Sequence, residues 1–452
     1  MLYTEGVQLI LNENEAKRLL EKVQKYSSAD SFVLNLRGSN AYNLRFAVNS
    51  VTTNGFSDSL SLSISSSFGK KTGNVSLNKF DDDSIQKAVK TSEEIAKLSP
   101  DSNEFMPPLG PQNYIKANNY SSSTENLNSE SRASYLSYII NKSIQNDVVS
   151  AGFFENDVSF ISLFTSNGLF VYNNNSRGGL SATSRTKDGS GSGRFEKNYV
   201  DVNNLEHKEL SDWVIERTKL SANPEEIKPG RYTVILEPAA AADLITLCLG
   251  FMNSRQADEG RSFFSKIGGG NKIGEELTDN KVFLYSDPSD INAPSMPFNS
   301  EGLPRNKTIW FGNGQLMNLH RNRFWAEKTN QPAIPFPSNL IMKGTEKSLD
   351  QLISETDYAI LVTRFWYIRT VEQRTMLLTG LTRDGVFEIR DGKINRPVKN
   401  FRFNESPVNV LKNLIDMTRP EKASGSENES MQVFVPALKV SDFNFSSLSD
   451  AI

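Results

Sequence analysis

Residues 232–253 read YTVILEPAAAADLITLCLGFMN, and this stretch decides the fold. The opening YTVIL is β-branched and aromatic and reads as a buried strand. Pro238 follows where a helix tolerates proline, in the first turn, because the N–H it lacks has no intrahelical partner there. The run AAAADLITLCLGFMN (residues 239–253) is apolar nearly all round, which predicts a buried helix rather than an amphipathic surface one. Upstream, a polar linker from Asn223-Pro224 to Pro229-Gly230 puts a domain boundary near residue 226.

Downstream of the helix lies a polar, Gly-rich tract, RQADEGRSFFSKIGGG (residues 255–270). Proline is frequent over residues 288–337. Strands are expected near 359–363, 376–379 and 386–390, and Asp391-Gly392 reads as a hairpin turn. Toward the N-terminus, 207–220 reads as a helix, as do 131–145 and 81–98, the last stopped by Pro100. A first helix carries Ala16, Leu19, Leu20 and Val23, with Asn12 or Asn14 as its cap. Strand-like runs cover 31–36, 42–48 and 59–67, with Gly38 and Gly55 as turn signals between them. A meander is expected over 148–155, 157–166 and 168–173, turning at Asn167-Gly168. Residues 181–195 (SATSRTKDGSGSGRF) fit an exposed strand pair or a mobile loop. The fold class is α+β in two domains: residues 1–225, an antiparallel sheet with helices, and residues 226–452, β-rich.

Composition sets bounds on function. The chain has 452 residues, a net charge of −3, one Cys (Cys248) and two His (His207 and His320). One Cys forms no internal disulfide, and two distant His supply no local His-rich metal motif. The near-neutral balance gives no basic face for nucleic acid. No stretch approaches the ~18 apolar residues of a membrane span. Residues 1–14 carry acids and lack the layout of a signal peptide, so a cytoplasmic protein is expected.

Several clusters could carry chemistry. Arg255, Asp258, Glu259 and Arg261 follow the apolar helix and could hold a peptide or a partner's charges, or form an internal ion-pair network. Gly268, Gly269 and Gly270 lack the strand context and Lys-Ser/Thr ending of a phosphate loop and suit a flexible loop or a backbone site for an extended ligand. Glu237 and Asp243 near the helix start could do acid–base work, although the helix dipole explains such carboxylates more simply. The basic-aromatic runs NLHRNRFW (residues 318–325) and RFWYIR (residues 364–369) read as structural or interface segments. No GxSxG elbow is present, and Cys248 reads as a small buried hydrophobe.

The second half resembles the TldD/PmbA family, whose members have been called modulators of DNA gyrase. The resemblance rests on ordered features: YTVILEP running into the helix, ADEGRSFFSKIGGGNKIGEEL (residues 257–277), SDPSDINAPSMPFNSEGLPRNKTIWFGNGQLMNLHRNRFWAEK (residues 286–328), PSNLIMKGTEKSLDQLI (residues 337–353) and TGLTRDGVFEIRDGKINRPVKNFRFNES (residues 379–406). It covers about residues 226–415, and the N-terminal half is similar in layout only. In the TldD type, the helix carries His-Glu-x-x-x-His, whose two His resemble a zinc site completed by a distant Cys, with the Glu as general base. The PmbA (TldE) type has the fold without that motif and pairs with the TldD type. Here Thr246 and Phe251 stand at the ligand positions, Leu247 at the base, and only Gly250 matches. None of the three can bind Zn²⁺ through a strong ligand or move a proton as a carboxylate would.

The resemblance therefore implies a non-catalytic, TldE-like pseudoenzyme subunit of a peptide-processing metalloprotease. Its partner would be a TldD-type subunit, or itself in a homodimer. No metal, no cofactor and no activity alone are expected, and the candidate contacts are the 255–261 cluster and the 268–270 loop. The alternatives are a stand-alone or homodimeric peptidase using Glu237, Asp243 or the Asp258/Glu259 pair, and a direct gyrase modulator.

Overall fold

The computed structural model describes residues 10–427 and 431–449; residues 1–9 of the N-terminal stretch read above lie outside it. The N-terminal half is one antiparallel sheet in the order β3-β2-β1-β4-β5-β6. Its strands are β1 (Ser31–Ala47), β2 (Ser50–Phe68), β3 (Lys71–Leu77), β4 (Val148–Thr165), β5 (Phe170–Thr186) and β6 (Ser192–Tyr199). Alternation decides which face is buried. Phe32, Leu34, Leu36, Leu44 and Phe46 of β1, two residues apart within each run, point one way and are buried. Helices α1 (Glu13–Gln24) and α2 (Asp82–Leu98) cover one end of that face. At the other end lie α4 (Ser129–Gln145) and α5 (His207–Leu220), with the short α3 (Ser122–Glu125) beside them. Of the two cap candidates, Asn12 is the one used: it forms a capping box with Glu15, which offers its carboxylate to the Asn12 N–H at 2.8 Å.

The strands are longer than the sequence suggests. Residues 31–36 and 42–47 fall in a single strand, with Val48 in the turn that follows, and Gly38 and Gly55 lie inside β1 and β2 rather than in turns. Gly55 is there because a Cβ would meet the Asn43 side chain at 2.8 Å across the ladder. The expected meander is two continuous strands, β4 and β5, and residues 181–195 are a strand pair, with Arg185 opposite Ser192.

The second half contains two sheets. The first has the order β10-β9-β8-β11-β18-β17, formed by β8 (Leu284–Ser286), β9 (Thr308–Gly312), β10 (Gln315–Leu316), β11 (Asn339–Met342), β17 (Glu421–Ala423) and β18 (Gln432–Val435). In the other, β7 (Gly230–Leu236), β12 (Tyr358–Glu372), β13 (Leu377–Arg390), β15 (Phe401–Glu405) and β19 (Leu438–Leu448) pair in a ring, because β12 bonds both β7 and β13. Closing the ring removes its open edges. β14 (Lys393–Pro397) and β16 (Leu414–Met417) attach outside it. The expected strands at 376–379 and 386–390 are one strand, β13. Asp391 and Gly392 both take positive φ (49° and 74°), as a tight hairpin turn requires.

Helix α6 (Pro238–Phe251) passes between the ring and the other sheet. Its Ala240, Leu244, Ile245, Cys248 and Leu249 are buried among Val234, Trp310, Leu340, Phe365 and Val433. The all-round apolar pattern is thus answered by core on nearly every side. The short helices α7 (Ser254–Asp258), α8 (Arg323–Thr329), α9 (Leu349–Ser354) and α10 (Pro407–Lys412) complete this half. No helix among the described residues is long and apolar enough to cross a membrane.

Candidate functional site

The two halves meet where β6 and α5 face β13 and β17, and a large cavity lies there at the N-terminal end of α6. It has a volume of about 870 Å³. Edge strand β6 and helix α5 supply one wall, including Arg194, Lys197, Tyr199 and Trp213. The start of α6, the β12–β13 hairpin and β17 supply the other, including Glu237, Thr363, Arg364, Asp384 and Lys422.

Charge is buried here, and each case is handled differently. Glu237 is the residue before α6, and its side chain makes no cap hydrogen bond. It pairs instead with Arg217 of α5 at 2.8 Å, with both side chains buried. The contact is a charge contact without aligned hydrogen bonds, since Glu237 Oε1 and Arg217 Nη1 find no hydrogen-bond partner among the described residues. Burial raises the Glu237 pKa, and Arg217 opposes that rise. Arg364 of β12 pairs with Asp384 of β13 at 3.2 Å, and Ser192 of β6 donates a hydrogen bond to the same carboxylate. This links the N-terminal sheet directly to the ring.

Asp243, inside α6, is fully buried. It accepts the Glu427 N–H at 2.8 Å and the Ser426 hydroxyl at 3.3 Å. Gly425 must be glycine for this approach, because a Cβ there would lie 2.2 Å from Asp243 Oδ1. Burial, the largest cause, pushes the Asp243 carboxyl up to about 7 despite these bonds. Asp243 therefore holds residues 425–427 against α6, where Gly425 and Ser426 form part of the cavity wall. The helix dipole accounts for neither acid, since Glu237 is satisfied by Arg217 and Asp243 lies too far along the helix.

The other end of α6 is about 20 Å away at 1.5 Å per residue. Thr246, Leu247 and Phe251 are half-buried and Gly250 is exposed, so these positions form the least buried face of the helix. Leu247 and Phe251 pack against the core, and the Thr246 hydroxyl is buried with no hydrogen-bond partner among the described residues. Zinc wants imidazole, thiolate or carboxylate donors, and these three side chains do not fit it. Cys248 is buried, and burial alone pushes its thiol up to about 12, far from a thiolate ligand. Among the described residues no group of three or more His, Cys, Asp or Glu is placed to hold a metal ion.

The residues singled out from sequence sit at this second end. Arg255 pairs with Glu259 at 3.0 Å and with Glu104 of the N-terminal half at 2.9 Å, and Arg261 pairs with Glu259. Asp258 accepts from Asn271 and from the Trp325 indole, both at 2.7 Å. Gly268, Gly269 and Gly270 all have positive φ and form a projecting turn, closed by a bond from the Lys266 N–H to the Gly270 carbonyl at 3.0 Å, with Ile267 fully exposed. His320 is half-buried and edge-on to Phe336, and desolvation pushes its imidazole down to about 4. Arg364 belonged to a run noted in the sequence. Lys422 and Asp384 carried no sequence signal, because they meet the cavity only through long-range strand pairing.

The comparisons agree with this architecture. The description PmbA/TldA metallopeptidase C-terminal domain matches residues 229–447, and PmbA/TldA metallopeptidase domain 1 matches residues 35–96. A metalloprotease of Methanothermobacter thermautotrophicus is 25% identical over 209 residues, which span 41% of this chain and only 42% of that relative. The fold is similar to that of TldE from Thermococcus kodakarensis, with TM-score 0.84, 15% identity, and 95% of this chain and 99% of that one covered. It is also similar to a proposed DNA gyrase modulator from Bacteroides thetaiotaomicron, with TM-score 0.83, 18% identity, and coverage of 97% and 100%. The likeness runs through both halves, and the family descriptions fall on the strand–helix unit and on β1 to α2, so the chain belongs to the TldD/PmbA family.

Proposed function

We propose that this chain is a non-catalytic, TldE-like subunit that pairs with a TldD-type metalloprotease and helps to form the space in which peptides are cleaved. The observation that carries this reading is the face of α6 at Thr246, Leu247 and Phe251. It has no donor that could hold zinc and no carboxylate to activate water. In this reading the chain divides at residues 225/226, acts in the cytoplasm, and meets its partner or the peptide through the 255–261 segment and the 268–270 turn. The exposed Ile267 supports the turn as a contact. The mutual pairing of Arg255, Glu259 and Arg261 leaves those side chains a mainly local role.

The test is co-expression with a family member that carries His-Glu-x-x-x-His. A complex on size exclusion, with peptide cleavage that requires both chains, is the expected result. Failure to form a complex, or cleavage by the partner that is the same with and without this chain, would refute the reading. Chelator-sensitive hydrolysis by the isolated chain would refute it from the other side.

A further inference from the structure

The cavity at the start of α6 has a positive charge that the protein does not neutralise. On the wall where β6 meets β17, Lys197 is satisfied: its Nζ donates to the Lys422 carbonyl at 2.5 Å and lies 3.7 Å from a Glu421 carboxylate oxygen. Arg177, on β5 beside it, pairs with Glu155 at 2.5 Å. Lys422 lines the cavity, and among the described residues no carboxylate pairs with it. Its nearest compensation is the Tyr199 ring, whose centre is 5.2 Å from the ammonium. Burial, with Lys197 and Arg177 adding to it, brings the Lys422 ammonium down to about 8. A half-buried cation held without a counter-ion costs stability that internal packing does not return.

Two further groups on the same cavity lack an aligned hydrogen bond, although Glu237 keeps its charge contact with Arg217. Thr363 Oγ1 and Glu237 Oε1 are buried, and neither has a hydrogen-bond partner among the described residues. Aromatic surface is present in Trp213 and Trp366. The lining carries as many Arg and Lys as Asp and Glu, so it offers no surplus of positive charge for a polyanion such as a nucleotide. Its volume suits a ligand of a few residues' size, within the ~300–1,000 Å³ of small-molecule sites.

The geometry points to the free C-terminal carboxylate of a peptide as the group Lys422 receives, with Thr363 meeting the peptide backbone and Trp213 and Trp366 its side chains. This rests on the peptide-handling reading above and narrows it to chains that end in the cavity. The site is also separate from the positions that the resemblance sets against the zinc ligands, which lie at the other end of α6.

The test uses the full chain, immobilised, and a library of N-acetylated tetrapeptides offered with free C-terminal acids or as C-terminal amides, with inorganic phosphate as a third probe. Retention of the acids at least tenfold over the amides is expected, lost in Lys422→Met. That variant should unfold at the same temperature as the wild type or higher, because it removes an unpaired cation. Equal retention of acids and amides overturns the proposal in the wild type alone, whatever the variant does. So does an absence of retention, retention unaffected by Lys422→Met, or Lys422-dependent binding of phosphate without peptide. None of these outcomes bears on complex formation, so the subunit reading and this one can fail separately.

Discussion

The two ends of α6 treat charge in opposite ways. At the N-terminal end, acids and bases are buried in pairs: Glu237 with Arg217, and Asp384 with Arg364. At the C-terminal end, the helix shows a partly exposed face of Thr246, Leu247, Gly250 and Phe251, and the charges beyond it lie in a surface network. A buried pair is costly to assemble and more costly to break by halves, whereas an exposed one contributes little. The end that resembles the family's metal site is therefore the plainer one here. The end with no counterpart in that motif holds the strained electrostatics that accompany binding sites.

The largest effect should come from Arg364→Met. It leaves the Asp384 carboxylate buried without its ion-pair partner, held by the Ser192 hydroxyl that joins β6 to the ring. A loss of about 3–5 kcal/mol in denaturant unfolding is expected. The double change Arg364→Met with Asp384→Leu should recover much of it. If Arg364→Met alone is neutral, the pair is not the buried contact described, and the contrast between the two ends collapses.

Next comes Gly425→Ala. The added Cβ meets Asp243 Oδ1 at 2.2 Å and the Ala239 carbonyl at 2.8 Å, so residues 425–427 must shift off α6. A destabilisation of about 1–3 kcal/mol is expected, together with faster proteolysis of that segment. Unchanged stability and unchanged proteolysis would show that Asp243 does not hold the segment.

How far this could be read from sequence differs between the two ends as well. Helix α5 and the buried α6 were legible because their apolar spacing and the proline at the start of α6 are local signals. Gly38 and Gly55 misled, since a glycine inside a long strand looks like a turn until its cross-strand neighbour, here Asn43, is known. The 255–261 cluster drew attention because its charges are adjacent in sequence. The cavity escaped notice because its groups come from β6, α5, α6, β12, β13 and β17, and only the packing of three separate sheets brings Lys197, Asp384 and Lys422 together.

Asp243 gives a pH test of smaller size. Its folded pKa is raised to about 7 from 3.8, chiefly by burial. Arg364 and Glu427 are the charged groups that face it, and they act in opposite directions. The folded state then binds a proton that the unfolded state has released, so this group destabilises the fold above pH 7. That penalty fades as pH falls from 7 toward 4. The contribution to the slope cannot exceed about 1.4 kcal/mol per pH unit. Asp243→Asn, which keeps an oxygen to accept the Glu427 N–H, should be more stable than the wild type at pH 8 and level with it near pH 4. A constant difference across that range would mean that Asp243 does not titrate between those limits.

The smallest effect is expected at the other end. Arg261→Ala removes a partner of Glu259, which still keeps Arg255 at 3.0 Å. Both groups sit in water, where side-chain entropy and salt offset most of the attraction. The unfolding midpoint should not move measurably, at low salt or high. If complex formation with a TldD-type partner nevertheless weakens in this variant, the cluster is an interface kept for its partner. If neither stability nor assembly responds, the 255–261 charges only join the two halves through Arg255 and Glu104. In that case the buried charge at the start of α6 is what distinguishes the two ends.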